Sequence, residues 1–233
     1  MMYEGFLFVI HLFLHTYCQL QVAAQFFLNL LRWWRVNKWN ADILLSQTKT
    51  LGKMPGHVSL MFLEEDIPVQ DIVKPIVWCI CLGVTTISLY DYYGRLRSKK
   101  IEIDNELREY YSDFTKNCKS SPKQQISPKI QFVSVENGRT DLVHAARDIT
   151  QDLLNGVVKE ITKVNYQSYH KVFCNDHPDL IIKFGTLTTL AGYPPWPVHL
   201  TEIISLPTCL MISPYNFLDS LNRYFKIEKR VGK

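Results

Sequence analysis

Short β-branched apolar runs alternate with longer stretches of helical periodicity from residue 57 to residue 228, and this alternation constrains the fold more than any other feature. His57 to Leu63 (HVSLMFL) reads as a strand. Over 68–82, Ile72, Val73, Ile76, Val77 and Ile80 recur at the spacing of one helix face. Gly83 then divides the apolar stretch, and Val84–Tyr90 (VTTISLY) is strand-like again. Residues 101–115 carry Ile103, Leu107, Tyr110, Tyr111 and Phe114 on one helical face. Lys129–Val135 reads as a strand and Asn137-Gly138 as a turn. Thr140 reads as the cap of a helix with Leu142, Ala146, Ile149 and Leu153 inward. Asp179–Phe184 (DLIIKF) is a further strand. Trp196–Leu206 and Pro214–Glu228 read as helices, the second with Phe217, Leu218, Leu221, Tyr224 and Phe225 inward. Residues 157–175 fit either state. Strands separated by helices predict an α/β fold, a mainly parallel central sheet flanked by helices. Ligands of such sheets gather beyond the carboxyl ends of the strands.

The chain of 233 residues is long enough for one domain and an appendage. From Phe6 to Leu31, 26 residues carry no charged side chain, and about 20 residues cross a hydrocarbon core. Arg32, Trp33, Trp34, Arg35, Lys38 and Trp39 follow, whereas only Glu4 precedes the segment. Tryptophan favours the headgroup layer, and Lys and Arg stay on the cytoplasmic side. The expectation is an N-terminal membrane helix within an anchoring segment 1–35, a linker over 36–50 and a cytosolic domain over 51–233. His11, His15, Gln19, Gln21, Gln25 and Asn29 gather mostly on one side of the helical wheel. An orientation along the membrane interface therefore stays open beside a spanning one.

Several function classes are excluded. A net charge of +4 without a concentrated basic stripe argues against nucleic acid. Neither G-x-G-x-x-G nor G-x-x-x-x-G-K-[ST] occurs, so nucleotide folds lose their main support. Six cysteines form no C-x-x-C pair and read as reduced thiols. His170, Cys174 and His177 share a helical face if the segment is helical, but Pro178 follows at once. They read as a polar segment before a strand, and no residue is assigned to a metal.

Particular motifs narrow the reading. Met54-Pro55-Gly56-His57-Val58 resembles the P-x-H-V opening of cis-prenyltransferases, which elongate polyprenyl diphosphates with isopentenyl diphosphate. His177-Pro178-Asp179-Leu180-Ile181-Ile182-Lys183-Phe184-Gly185 resembles their P-D-L-L-I-R-T-G-G strand. Val77-Trp78-Cys79, Ser88–Asp91, Pro195-Trp196, Leu200–Pro207 and Arg230-Val231-Gly232-Lys233 are similar to the accessory branch of that family. Its members pair with a catalytic cis-prenyltransferase subunit in a heteromeric dehydrodolichyl diphosphate synthase. The resemblance covers about residues 51–233. It implies a cis-prenyltransferase-like fold at the endoplasmic reticulum membrane, facing the cytosol, and Mg2+ held by the catalytic partner.

The departures matter as much. Catalytic members carry D-G-N-x-R after the first strand, where this chain has Glu64-Glu65-Asp66-Ile67-Pro68. No glycine there admits a phosphate to the backbone, no arginine pairs with one, and three carboxylates repel a diphosphate. After Gly185, where the family has an Arg and a Ser, this chain has Thr186-Leu187-Thr188-Thr189-Leu190-Ala191-Gly192. Lys183 replaces an Arg and loses its bidentate fork. The terminal Arg230, Val231 and Gly232 match an R-x-G that the resemblance assigns to the neighbour's isopentenyl diphosphate site. A guanidinium fork suits diphosphate oxygens, and glycine lets a main-chain N–H approach them. Lys226, Lys229 and Lys233 add background charge.

The resulting expectation is a non-catalytic but required subunit that stabilises its partner, lends Arg230 and Gly232 to the partner's site, and supports dolichol synthesis for protein glycosylation. The alternatives are a membrane receptor or adaptor and a self-sufficient cis-prenyltransferase.

Overall fold

The computed structural model describes residues 12, 14–24, 27, 41–48, 52, 54–116, 128–161, 177–194, 198 and 201–227. Five strands form its centre: β1 (His57–Phe62), β2 (Thr86–Asp91), β3 (Lys129–Val133), β4 (Leu180–Phe184) and β5 (Glu202–Leu206). Their spatial order is β3-β2-β1-β4-β5, and every neighbouring pair is parallel. The helices are α1 (Ala41–Thr48), α2 (Val69–Cys81), α3 (Arg95–Ser98), α4 (Lys100–Thr115), α5 (Arg139–Leu154) and α6 (Pro214–Phe225). The parallel α/β sheet expected from the alternation is present.

Period-two alternation gives the sheet two different faces. Val58, Leu60, Phe62, Ile87, Leu89, Ile182 and Phe184 build the main core with Ile72, Ile76 and Trp78 of α2, Ile103 and Phe114 of α4, and Phe217 and Leu221 of α6. Trp78 and Phe217 meet at 5.3 Å between ring centroids. The opposite face mixes polar and apolar side chains, buried over β1, β2 and β4 and open at the sheet edges. There His57 Nε2 and Ser88 Oγ share a hydrogen bond of 2.7 Å, and the Tyr193 hydroxyl donates to Ser59 Oγ at 3.0 Å. Tyr193 packs with Met61, Tyr90, Val133 and Ile181 into a second, smaller cluster.

Three expectations need correction. Glu202–Leu206, expected within a helix over Trp196–Leu206, is strand β5, paired parallel to β4. Its Ile203-Ile204 pair is β-branched, and Ile204 is buried while Ile203 and Ser205 face outward, as a pleat requires. Helix α5 starts at Arg139 without a side-chain cap, so Thr140 is not its cap. Its buried residues are Asp141, Ala145 and Ile149, a stripe rotated by about one residue from the expected one. The capping box belongs instead to Ser134 and Asn137, around the one-turn helix Val135–Asn137. Finally, the expected linker contains α1, whose Leu44 is fully buried in the main core.

Gly52 lies against the ring of Phe225, where an added Cβ would stand 3.3 Å from the ring. Residues 14–24 are helical, with Leu14, Tyr17 and Leu20 exposed. Among the described residues no helix is long and apolar enough to cross a membrane. Much of the expected anchor, residues 1–11 and 28–35, lies outside the described residues.

Candidate functional site

The strand order reverses at β1, because the chain moves outward through β2 and β3 and returns on the other side as β4 and β5. A crevice opens where neighbouring loops leave a sheet in opposite directions. Here it is a cavity of about 310 Å³ beyond the carboxyl ends of β1, β2 and β4. Leu63, Glu64 and Glu65 line it from β1, Asp91, Tyr93, Arg95 and Lys99 from the β2 side, and Leu187 and Ala191 from the loop after β4.

Three of the charged groups at this crevice, Glu64, Asp91 and Arg95, hold hydrogen bonds within the protein. Glu64 Oε2 accepts from the Cys209 backbone N–H at 2.7 Å. Burial pushes the Glu64 carboxyl above the usual carboxylate range, opposed by the hydrogen bonds from Cys209 and Thr208 and reinforced by the Asp71 charge. Asp91 accepts from the Arg95 and Leu96 backbone N–H groups at 2.6 and 3.3 Å, one on each carboxylate oxygen. The Arg95 guanidinium donates to the Glu65 carbonyl at 3.1 Å and lies 4.7 Å from the centre of the Tyr93 ring. Glu65 and Asp66 are exposed.

Magnesium requires near-octahedral oxygen ligands, with one or two free carboxylates beside substrate phosphates. Glu64 and Asp91 each hold backbone donors. Among the described residues no three His, Cys, Asp or Glu side chains converge as a metal site would require.

The loop after β4 is held by the polar face. Lys183 is buried and its ammonium donates to the Leu187 carbonyl. Tyr90 donates to the Ala191 carbonyl at 2.5 Å. Gly185, at φ +117°, lies where a Cβ would stand 3.2 Å from Leu63 Cβ, so its freedom serves the join between β1 and β4. The two sequence motifs that carry the resemblance meet at the other end of the sheet. Asp179 Oδ2 accepts from the backbone N–H groups of Gly56 at 2.8 Å and His57 at 3.2 Å. That contact pins the amino ends of β1 and β4.

Arg230, Val231 and Gly232 lie outside the described residues, as do Lys229, Lys233, His170, Cys174, Pro195, Trp196 and Leu200. The last turn before the tail leaves Lys226 exposed. His177 is exposed. Cys79, Cys81 and Cys209 are buried and in no disulfide, and burial raises the Cys79 and Cys209 thiols above their ordinary pKa. Sequence reasoning missed Arg95 and Lys99. Their available signal was Gly94-Arg95 directly after a strand, with Gly94 at φ +71° turning the chain back over the crevice.

No family model matches the chain. It is similar to Nus1 of Mus musculus, named a dehydrodolichyl diphosphate synthase complex subunit, at 31% identity over 214 residues, 84% of this chain and 70% of that protein. The human protein of the same name is 32% identical over 215 residues, 84% of this chain and 71% of its own length. The Schizosaccharomyces pombe protein is 24% identical over 212 residues, 82% of each chain. Among solved structures, lavandulyl diphosphate synthase from Lavandula x intermedia shares the fold with a TM-score of 0.52 at 18% identity, covering 76% of this chain and 97% of that one. A probable undecaprenyl diphosphate synthase from Campylobacter jejuni does so with a TM-score of 0.50 at 15% identity, covering 78% and 100%. These two likenesses identify a cis-prenyltransferase fold.

Proposed function

The chain belongs to the family of dehydrodolichyl diphosphate synthase complex subunits, and from that premise we propose that it is the non-catalytic, required subunit of such a synthase. It pairs with a catalytic cis-prenyltransferase subunit and stabilises it. The partner holds Mg2+ and the allylic substrate. This chain lends Arg230 and the main chain at Gly232 to the partner's isopentenyl diphosphate site. Residues 1–35 hold the complex at the endoplasmic reticulum membrane with the folded domain in the cytosol, and the product feeds dolichol synthesis for protein glycosylation.

The observation that carries this reading is the crevice of the chain's own sheet. At the position where the resemblance expects a phosphate cradle, Glu64 is tied to Cys209 and Arg95 to the Glu65 carbonyl. A diphosphate brought there meets Glu64, Glu65 and Asp91 beside Arg95 and Lys99, without the glycine that would bring a backbone N–H to it. The C-terminal R-x-G has the guanidinium fork and the main-chain N–H that isopentenyl diphosphate calls for.

Co-expression with and without a candidate catalytic subunit, assayed for polyprenyl diphosphate, tests the reading. Activity is expected from the pair and not from this chain alone. Arg230→Ala is expected to lower kcat/KM of the co-purified complex by about tenfold or more at unchanged complex yield. Synthase activity of the isolated chain, or an unaltered Arg230→Ala complex, refutes it.

A further inference from the structure

The sequence puts Glu64 where a catalytic carboxylate is expected, yet its carboxylate reaches to the chain between β5 and α6. That connection, residues 207–213, is fastened at several points. Besides the 2.7 Å bond from Cys209 N–H to Glu64, the Cys209 thiol donates to the Asp71 carbonyl at 3.5 Å. Leu210 N–H donates to Thr208 Oγ1 at 2.9 Å, and Ile212 N–H to the Cys209 carbonyl at 3.2 Å. Met211 adopts a left-handed φ of +50°. Ser213 then caps α6 by accepting from Asn216 N–H at 3.3 Å.

We propose that Glu64 is a positioning residue that clasps the turn launching α6 and so sets where the carboxyl-terminal tail emerges toward the partner. The proposal rests on the tail's role given above. Helix α6 has 12 residues and is therefore about 18 Å long. A tilt of about 3° at its start moves its far end by about 1 Å, and Arg230 stands only a few residues beyond that end. Phe217 against Trp78, with Leu218 and Leu221 in the same core, holds the inner face of the helix. The Glu64 clasp adds a fixed point on the backbone that enters it. Holding an ionised carboxylate in a partly buried place works against stability, as the raised pKa of Glu64 indicates. Groups kept in place against a local rule mark functional positions.

The test is a double-mutant cycle in the co-purified complex. Glu64→Ala is expected to lower kcat/KM for isopentenyl diphosphate by about tenfold through KM, with the KM for farnesyl diphosphate and the complex yield unchanged. Glu64→Gln, which still accepts from Cys209 N–H, is expected to restore activity to within about threefold. In an Arg230→Ala background, Glu64→Ala is expected to add less than about twofold, because both changes act on one contact. Another tenfold loss in that background, or an equal rise in the farnesyl diphosphate KM, overturns the clasp and leaves the tail reading standing. A silent Arg230→Ala overturns the tail reading and the clasp with it. If Glu64→Ala does not assemble, Thr208→Val goes through the same cycle. Hydrogen exchange at the Cys209 and Leu210 amides is expected to quicken in either variant, and unchanged exchange also overturns the proposal.

Discussion

At Gly192 the backbone sits at φ +75°, and a methyl group would stand 2.8 Å from Val135 Cγ2. Both strain and overlap oppose any side chain there. Gly192→Ala is expected to destabilise the domain by about 2 kcal/mol or more, read by thermal or denaturant unfolding. Glu64 gives a prediction with a pH sign. Its folded pKa lies above the ordinary value because burial penalises the anion more than Cys209 and Thr208 stabilise it. Below the ordinary value both states carry the proton and nothing is lost. As pH rises through the folded pKa, the buried anion weakens the native state. Relative to the parent, Glu64→Gln therefore gains stability as pH rises out of the ordinary carboxylate range, measured by denaturant titrations at a series of pH values; an opposite trend contradicts the burial argument. At this scale the sequence was partly legible. Glu64 and Lys183 were singled out by residue type, but their partners, Cys209 and Leu187, follow only from the fold. The same holds for Asp179 and His57, which stand 122 positions apart. Arg95 was invisible to motif reasoning because its role comes from a turn, where spacing carries little pattern.

Among the elements, the long periodic ones were the readable ones. Helix α4 buries Ile103 and Phe114 and packs Leu107, Tyr110 and Tyr111 beside them, as its spacing implies. Helix α6 likewise turns Phe217, Leu218 and Leu221 inward. Strand β5 misled because five residues are too few to separate a pleat from part of a helix. Helix α5 misled in phase: without a side-chain cap to fix its start, its apolar residues admit two adjacent stripes, and the chosen one contains the buried Asp141. The packing of α6 on α2 allows a magnitude. Phe217 is fully buried against Trp78, so Phe217→Ala is expected to cost about 3–5 kcal/mol. Equilibrium unfolding of the chain with its partner checks this, and a loss under about 1 kcal/mol would mean that the helix is held elsewhere.

For the whole molecule, a mainly parallel sheet flanked by helices was predictable in class, with ligands expected beyond the carboxyl ends of its strands, whereas the polar pairs His57–Ser88 and Ser59–Tyr193 on one face were not. The run of carboxylates Glu64–Asp66 at the mouth of that crevice was legible before any coordinates. Attachment is the remaining large-scale question. Removal of residues 1–35 is expected to release the protein from membranes, scored by fractionation after a high-salt wash, and retention would move the anchor to the folded domain. Gly52 bears on what such an anchor does. Because the chain crosses the last turn of α6 there, ring against backbone, a load pulled through the leading segment arrives at the root of the tail. With the anchor and tail roles proposed above, tethering and substrate delivery are expected to respond together as one mechanical variable.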